Sequence, residues 1–129
     1  MALRWGVFEM ELTRSELEIM DVLWATEQPQ SRSDILEQSQ EKSWKDSSIH
    51  ILLNGMLQKG VIREAGFVKR SKTYGRTFEP TLTREQYYAA TVLSRKHKPS
   101  VAGLIEALLR HEKLAEEELQ QIKKLVNEM

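Results

Sequence analysis

Residues 46–80 read DSSIHILLNGMLQKGVIREAGFVKRSKTYGRTFEP, and the fold turns on them. Ile49, Leu52, Leu53, Met56 and Leu57 recur at helical spacing, so one face of a helix here belongs to a core. The opposite face offers Ser47, Ser48, His50, Ile51, Asn54, Gly55 and Gln58, and it holds no acid. Asp46 or Ser47 stands where a cap is needed. Gly60 stops the helix, because glycine takes the left-handed conformation of a helix C-terminus at least cost. The period then changes. Residues 61–65 and 77–79 read as strands, and GFVKRSKTYGR lies between them with Gly66 and Gly75 placed for turns. Lys69, Arg70, Lys72 and Arg76 sit within or beside the tip of that hairpin, and Pro80 ends it.

Two helices precede this stretch. Thr13-Arg14-Ser15-Glu16 is a capping box, with Leu12 and Leu17 at the spacing of a hydrophobic staple. Leu17, Met20, Leu23 and Trp24 continue it as an apolar stripe that ends near Ala25 or Thr26, short of Pro29. Ser31 caps a second, short helix anchored by Ile35 and Leu36, with Asp34 suited to its positive end and a stop near Ser39 or Gln40. Three short helices, two antiparallel strands and a basic hairpin, in that order, predict a winged helix-turn-helix. The fold class is mainly α with a small β-hairpin.

Residues 81–129 read as helical. Thr83 and Gln86 form a second capping box, beside Leu82 and Tyr87 as a second staple, on a helix reaching about Lys96. Pro99 breaks it and Ser100 caps the next, whose stripe includes Leu104, Ile105 and Leu108. The last helix opens on Glu116, Glu117 and Glu118, carries Lys123 and Lys124 later, and has Leu119, Ile122 and Leu125 as apolar positions. One chain does not easily cover all these faces, so pairing with a second copy is expected, through Leu104, Ile105, Leu108, Leu119, Ile122 and Leu125. The expected division is an N-terminal extension over 1–9 (Met10 being an alternative start), a winged helix over 10–82 and a helical dimerisation region over 83–129.

Net charge is zero, but it is segregated. Residues 1–41 carry a surplus of six acids, residues 42–78 a surplus of six bases, and the remainder is balanced. One cationic third of the chain is what a phosphate-binding surface needs. The absence of cysteine excludes disulfides, thiolate metal sites and cysteine catalysis, and fits a reducing cytoplasm. No apolar run approaches the roughly 20 residues of a membrane span, and the first ten residues lack the apolar core of a signal peptide. His50, His97 and His111 are too far apart for a short metal motif, and there is no GxSxG and no glycine-rich phosphate loop. No catalytic residue, metal or cofactor is therefore expected, and the chain does not read as an enzyme.

Three blocks together resemble the penicillinase-repressor family of bacteria (the BlaI, MecI and CopY type): LTRSELEIMDVLW over 12–24, WKDSSIHILLNGMLQKGVI over 44–62 and GRTFEPTLTREQY over 75–87. The resemblance covers residues 10–129. It implies a cytoplasmic homodimer that blocks a promoter at an inverted-repeat operator of TACA/TGTA type in double-stranded DNA. It carries over Ser47, Ser48, His50, Ile51 and Asn54 as the face toward the major groove and the hairpin cations as backbone or minor-groove contacts, and Lys45 joins the set. Ser47 and Ser48 would seat the helix on phosphates, Asn54 would bond an adenine edge and Ile51 would meet a thymine methyl. The resemblance also implies a membrane sensor protease as a partner. Two departures stand out. Relatives commonly have Arg where this chain has Gly55, which implies a lost contact or packing role and a weaker half-site. The family's Asn-Phe cleavage pair aligns with Ala107-Leu108, which puts control by that protease in doubt. The copper-responsive branch senses through a cysteine-rich tail, which has no counterpart here. The competing reading is a winged helix used as a protein-interaction module, which would not need both the acid-free helix face and the basic hairpin.

Overall fold

The computed structural model describes residues 11–70 and 73–129, with only the backbone of Arg70, Thr73 and Tyr74. The expected extension over 1–9 and the hairpin cation Lys72 lie outside the described residues. Contacts divide the chain into two units, one up to Arg95 and one from Lys96 onward.

The first unit opens with α1 (Arg14–Ala25). Its capping box forms as the sequence requires: the Glu16 amide donates to Thr13 Oγ1 at 3.2 Å, and the Thr13 amide donates to Glu16 Oε1 at 2.9 Å. Ile19, Met20 and Leu23 turn inward, with Leu12 and Leu17 packed on the edge of the core. β1 (Gln30–Ser31) leads into α2 (Arg32–Gln38), where Ser31 and Asp34 make a second reciprocal cap. β1 was not expected. Two residues are too short to show an alternating pattern, and only pairing with a distant strand defines them.

A 3₁₀ turn over Asp46–Ser48 precedes α3 (Ile49–Lys59). The expected cap by Asp46 or Ser47 is not made: the Ser48 amide bonds the Lys45 carbonyl instead, and no side chain caps either helix start. Gly60 ends α3 at φ 78°, in the left-handed conformation only glycine adopts freely. β2 (Ile62–Arg70) and β3 (Thr73–Pro80) form the hairpin, and β1 pairs on the other edge of β3, so the antiparallel order is β1-β3-β2. The strands run longer than the sequence suggested. Gly66 and Gly75 are not turns but strand residues, Gly75 opposite Val68 and Gly66 opposite Thr77. The register slips between Glu64 and Gly66, which makes Ala65 a bulge, and Gly66 takes φ 139° there.

α4 (Arg84–Leu93) repeats the capping logic through Thr83 and Gln86. It ends at Leu93, short of the expected Lys96. Tyr87 and Ala90 are buried, Tyr87 lies 5.8 Å from the Trp24 ring, and Trp24 Nε1 donates to the Leu82 carbonyl at 2.9 Å. α4 therefore packs with the winged helix, and the break in the chain falls after Arg95 rather than at 82/83.

The second unit is two helices, α5 (Val101–His111) and α6 (Glu116–Asn127). Ser100 caps α5 by accepting from the Gly103 amide at 2.9 Å, and three glutamates open α6. Neither helix buries a residue.

Candidate nucleic-acid interface

α3 presents two opposed faces. Ile49, Leu53 and Met56 are buried, which fixes the helix's rotation. His50, Ile51, Asn54 and Gln58 then point to solvent, and Ile51 is 76% exposed. An isoleucine left that open on a well-anchored helix is not explained by packing. Ser47 and Lys45 are exposed ahead of it, and Ser48 is half-buried. α3 contains no acid. The acid just before it, Asp46, is met by Lys42 at 2.7 Å, and Lys42 also lies 5.3 Å from the ring centroid of the buried Trp44.

Gly55 does not belong to the open face. It is half-buried, and a Cβ placed there would meet Glu16 Oε2 at 3.3 Å. Glu16 is buried between its cap on α1 and Lys59 of α3, whose ammonium it meets at 2.5 Å. The glycine thus lets α3 approach the start of α1. It is a packing position, and the outward-facing contacts do not pass through it.

The linker before α3 is tied down as well. The Ser43 amide donates to Glu18 Oε1 at 2.9 Å, and that bond holds the Glu18 carboxyl below its usual range. On the far side of α1, burial pushes the Tyr87 phenol up from its usual value, while its oxygen accepts from the Leu12 amide at 3.3 Å. Both contacts fix α1 relative to what surrounds it, so the exposed face of α3 is presented by a held scaffold.

The hairpin divides its cations. Lys69 is exposed near the tip, opposite Tyr74, and the Arg70 backbone closes β2 opposite Thr73. Arg76 is not a tip residue. It pairs with Glu64 at 3.0 Å and lies 5.3 Å from the centroid of the Phe78 ring, on the body of the sheet. Arg63 is likewise paired, with Glu79 at 2.7 Å. Two groups escaped the sequence reading. Phe67, opposite Arg76, is 70% exposed; its exposure follows from the bulge and the strand's extension past the helices, which no sequence pattern announces. Arg32, the first residue of α2, hydrogen-bonds His50 through Nη1 and Nε2. Eighteen residues separate the two in sequence, and they meet because α2 and α3 both pack on α1.

In the second unit the six expected pairing residues differ in exposure. Ile105 and Leu108 on α5 and Leu125 on α6 are exposed, while Leu104, Leu119 and Ile122 are half-buried. Among the described residues, no three His, Asp or Glu side chains come together as metal ligands would, and no helix is long and apolar enough to cross a membrane.

An uncharacterised 16.5 kDa protein of Latilactobacillus sakei, from the ptsI 3′ region, is 29% identical over 122 residues, spanning 90% of this chain and 78% of that protein. Among solved structures, S. aureus MepR bound to ethidium bromide superposes with a TM-score of 0.47 at 18% identity, over 96% of this chain and 80% of that one. A MepR mutant from a multidrug-resistant S. aureus clinical isolate gives 0.48 at 15% identity, over 96% and 81%. Both superpositions are loose, and neither carries the assignment. The model of the penicillinase repressor family matches residues 12–128, nearly the whole chain. The chain belongs to the penicillinase repressor family of DNA-binding transcription regulators.

Proposed function

We propose that this protein represses transcription in the cytoplasm as a homodimer, with one winged helix on each half of an inverted-repeat operator. The observation that carries the reading is the exposed, acid-free face of α3, open at Ile51 and flanked by a hairpin with exposed Lys69. A helix face without acids meets the negative groove without repulsion, and its His50, Ile51 and Asn54 supply both polar and apolar contacts to base edges. Ser47, Ser48 and Lys45 at its start, with Lys69, Arg70 and Lys72 on the hairpin, set the register on phosphates. Arg76 serves the hairpin's own stability rather than DNA.

The second unit supports the homodimer. A helix pair that buries none of its residues, with Leu108 and Leu125 more than half exposed, gains most by covering those faces with their copies in a second chain. The sensor protease implied by the resemblance would meet exposed Ala107 and Leu108 within α5, where the family's Asn-Phe pair is replaced. The reading needs no cofactor and no catalytic step. It is tested by an electrophoretic shift with duplex from the protein's own promoter, alongside light scattering. The expected result is a discrete shifted band and a particle near 30 kDa, twice the 15.0 kDa chain. A monomer at tens of micromolar, or a smear that random duplex competes away equally, contradicts it.

A further inference from the structure

Arg32 and His50 meet on the exposed surface where α2 begins beside the first turn of α3. A guanidinium has donors only, so in the bond from Arg32 Nη1 the His50 Nε2 must accept. The ring's proton then resides on Nδ1, and the Nδ1–H is the group His50 has left to offer. Asn54 and Ile51 lie on the same exposed face, one turn or less further along, so the pair stands at the leading end of that face. The N-terminal part of a recognition helix is what reaches base edges. There the pair offers donors and no acceptor. Of the four bases, guanine alone shows two neighbouring acceptors in the major groove, N7 and O6. Adenine sets an acceptor beside an amino donor, cytosine shows an amino donor, and thymine a single acceptor beside a methyl.

We propose that Arg32 and His50 act as one donor unit that reads a guanine of the operator, Arg32 fixing the His50 tautomer as well as donating. The inference rests on the operator reading above and adds to it a residue outside α3.

Two measurements test it. In the first, duplexes are selected from a random pool by the wild-type chain and by Arg32→Ala, His50→Ala and the double variant. The wild type enriches a site with a required guanine. Each single variant loses the preference at that same base pair, with on the order of tenfold weaker binding to the wild-type site, and the double variant loses little more. Preferences lost at different base pairs, additive losses, or a uniform fall for all sequences (a phosphate contact) overturn the proposal. If the wild type enriches no sequence, the operator reading falls and the proposal with it. If the guanine preference survives both substitutions, the proposal alone falls. In the second, nitrogen NMR of the imidazole in the free protein locates the proton. It is expected on Nδ1 in the wild type, moving toward Nε2 in Arg32→Ala. A wild-type ring carrying its proton on Nε2 overturns the role given to Arg32.

Discussion

Up to Arg95, apolar residues at helical spacing end up inside: Ile19, Met20, Ile35 and Met56 are fully buried. From Lys96 on, the same residue types at the same spacing stay outside, with Leu108 56% and Leu125 61% exposed. The periodic pattern does not distinguish the two regions. The difference lies in what else each region owns. The first has three crossing helices, a sheet to close one side and α4 laid over α1. The second has two helices, neither of which buries a residue. Fully burying a leucine contributes roughly 1.5–3 kcal/mol, so the second region keeps an unmet drive toward association while the first is complete. On the proposed function, one region holds the reading surface and the other joins two such surfaces.

The largest expected effect separates those roles. Leu108→Asp puts a charge on the face of α5 that would be shared, so the dimer gives way to monomer in light scattering. Operator affinity falls by roughly 10²–10⁴-fold, the usual worth of a tethered second site, while the melting transition of the first unit is unchanged. A surviving dimer, or a melting temperature that drops with it, would break the division between the regions.

Within the first region, Asn54→Ala removes one outward group from a face whose inward side is untouched. It should lower affinity for the operator by about 1–3 kcal/mol and leave binding to random duplex nearly unchanged, since phosphate contacts persist. Both affinities are compared at one fixed salt concentration. An unaltered ratio would place base reading elsewhere on α3.

The hairpin allows a finer contrast. Lys69→Ala should flatten the dependence of log affinity on log salt by about one, for one lost phosphate contact. Arg76→Ala should leave that slope alone, because Arg76 is engaged with Glu64 and Phe78. Equal slope changes in the two variants would mean that the ion pair opens on DNA.

The smallest effect concerns the scaffold. The Glu18 carboxyl is held low chiefly by the Ser43 amide, so its folded-state value lies below its unfolded one. The stability it contributes is therefore present above about pH 4.3 and is lost as pH falls through the lower folded value. Acid titration of stability should be shallower in Glu18→Gln than in wild type in that window. Parallel curves would remove the contact from the account.

Much of this was legible in the residues because it is local. Thr13, Thr83, Ser100 and Gly60 announce helix ends by bonds made within a few residues, and all four act as expected. The face of α3 was legible too, since five apolar positions leave one choice of rotation. What was missed depends on distant partners. β1 exists only because Phe78 and Thr77 lie opposite it. Gly55 faces Glu16, 39 residues back in a region that reads as plain helix start. Gly66 reads as a turn in sequence because a glycine that relieves a bulge and one that makes a turn look alike there. The place of Arg76 depends on register, which the length of the hairpin hides. Arg32 lies in an acidic stretch, and the packing of α2 and α3 on α1 brings it to His50.

On the proposed function, the exposed face of α3 reads sequence. That role is tested most directly by the affinity of the wild-type protein for its selected inverted repeat and for random duplex of equal length, at one salt concentration near physiological. A ratio of at least about 10³ is expected, at the lower end for specific operator binding. Equal affinities would contradict it, and would leave the basic hairpin as a charge patch and α3 as a face for something other than DNA.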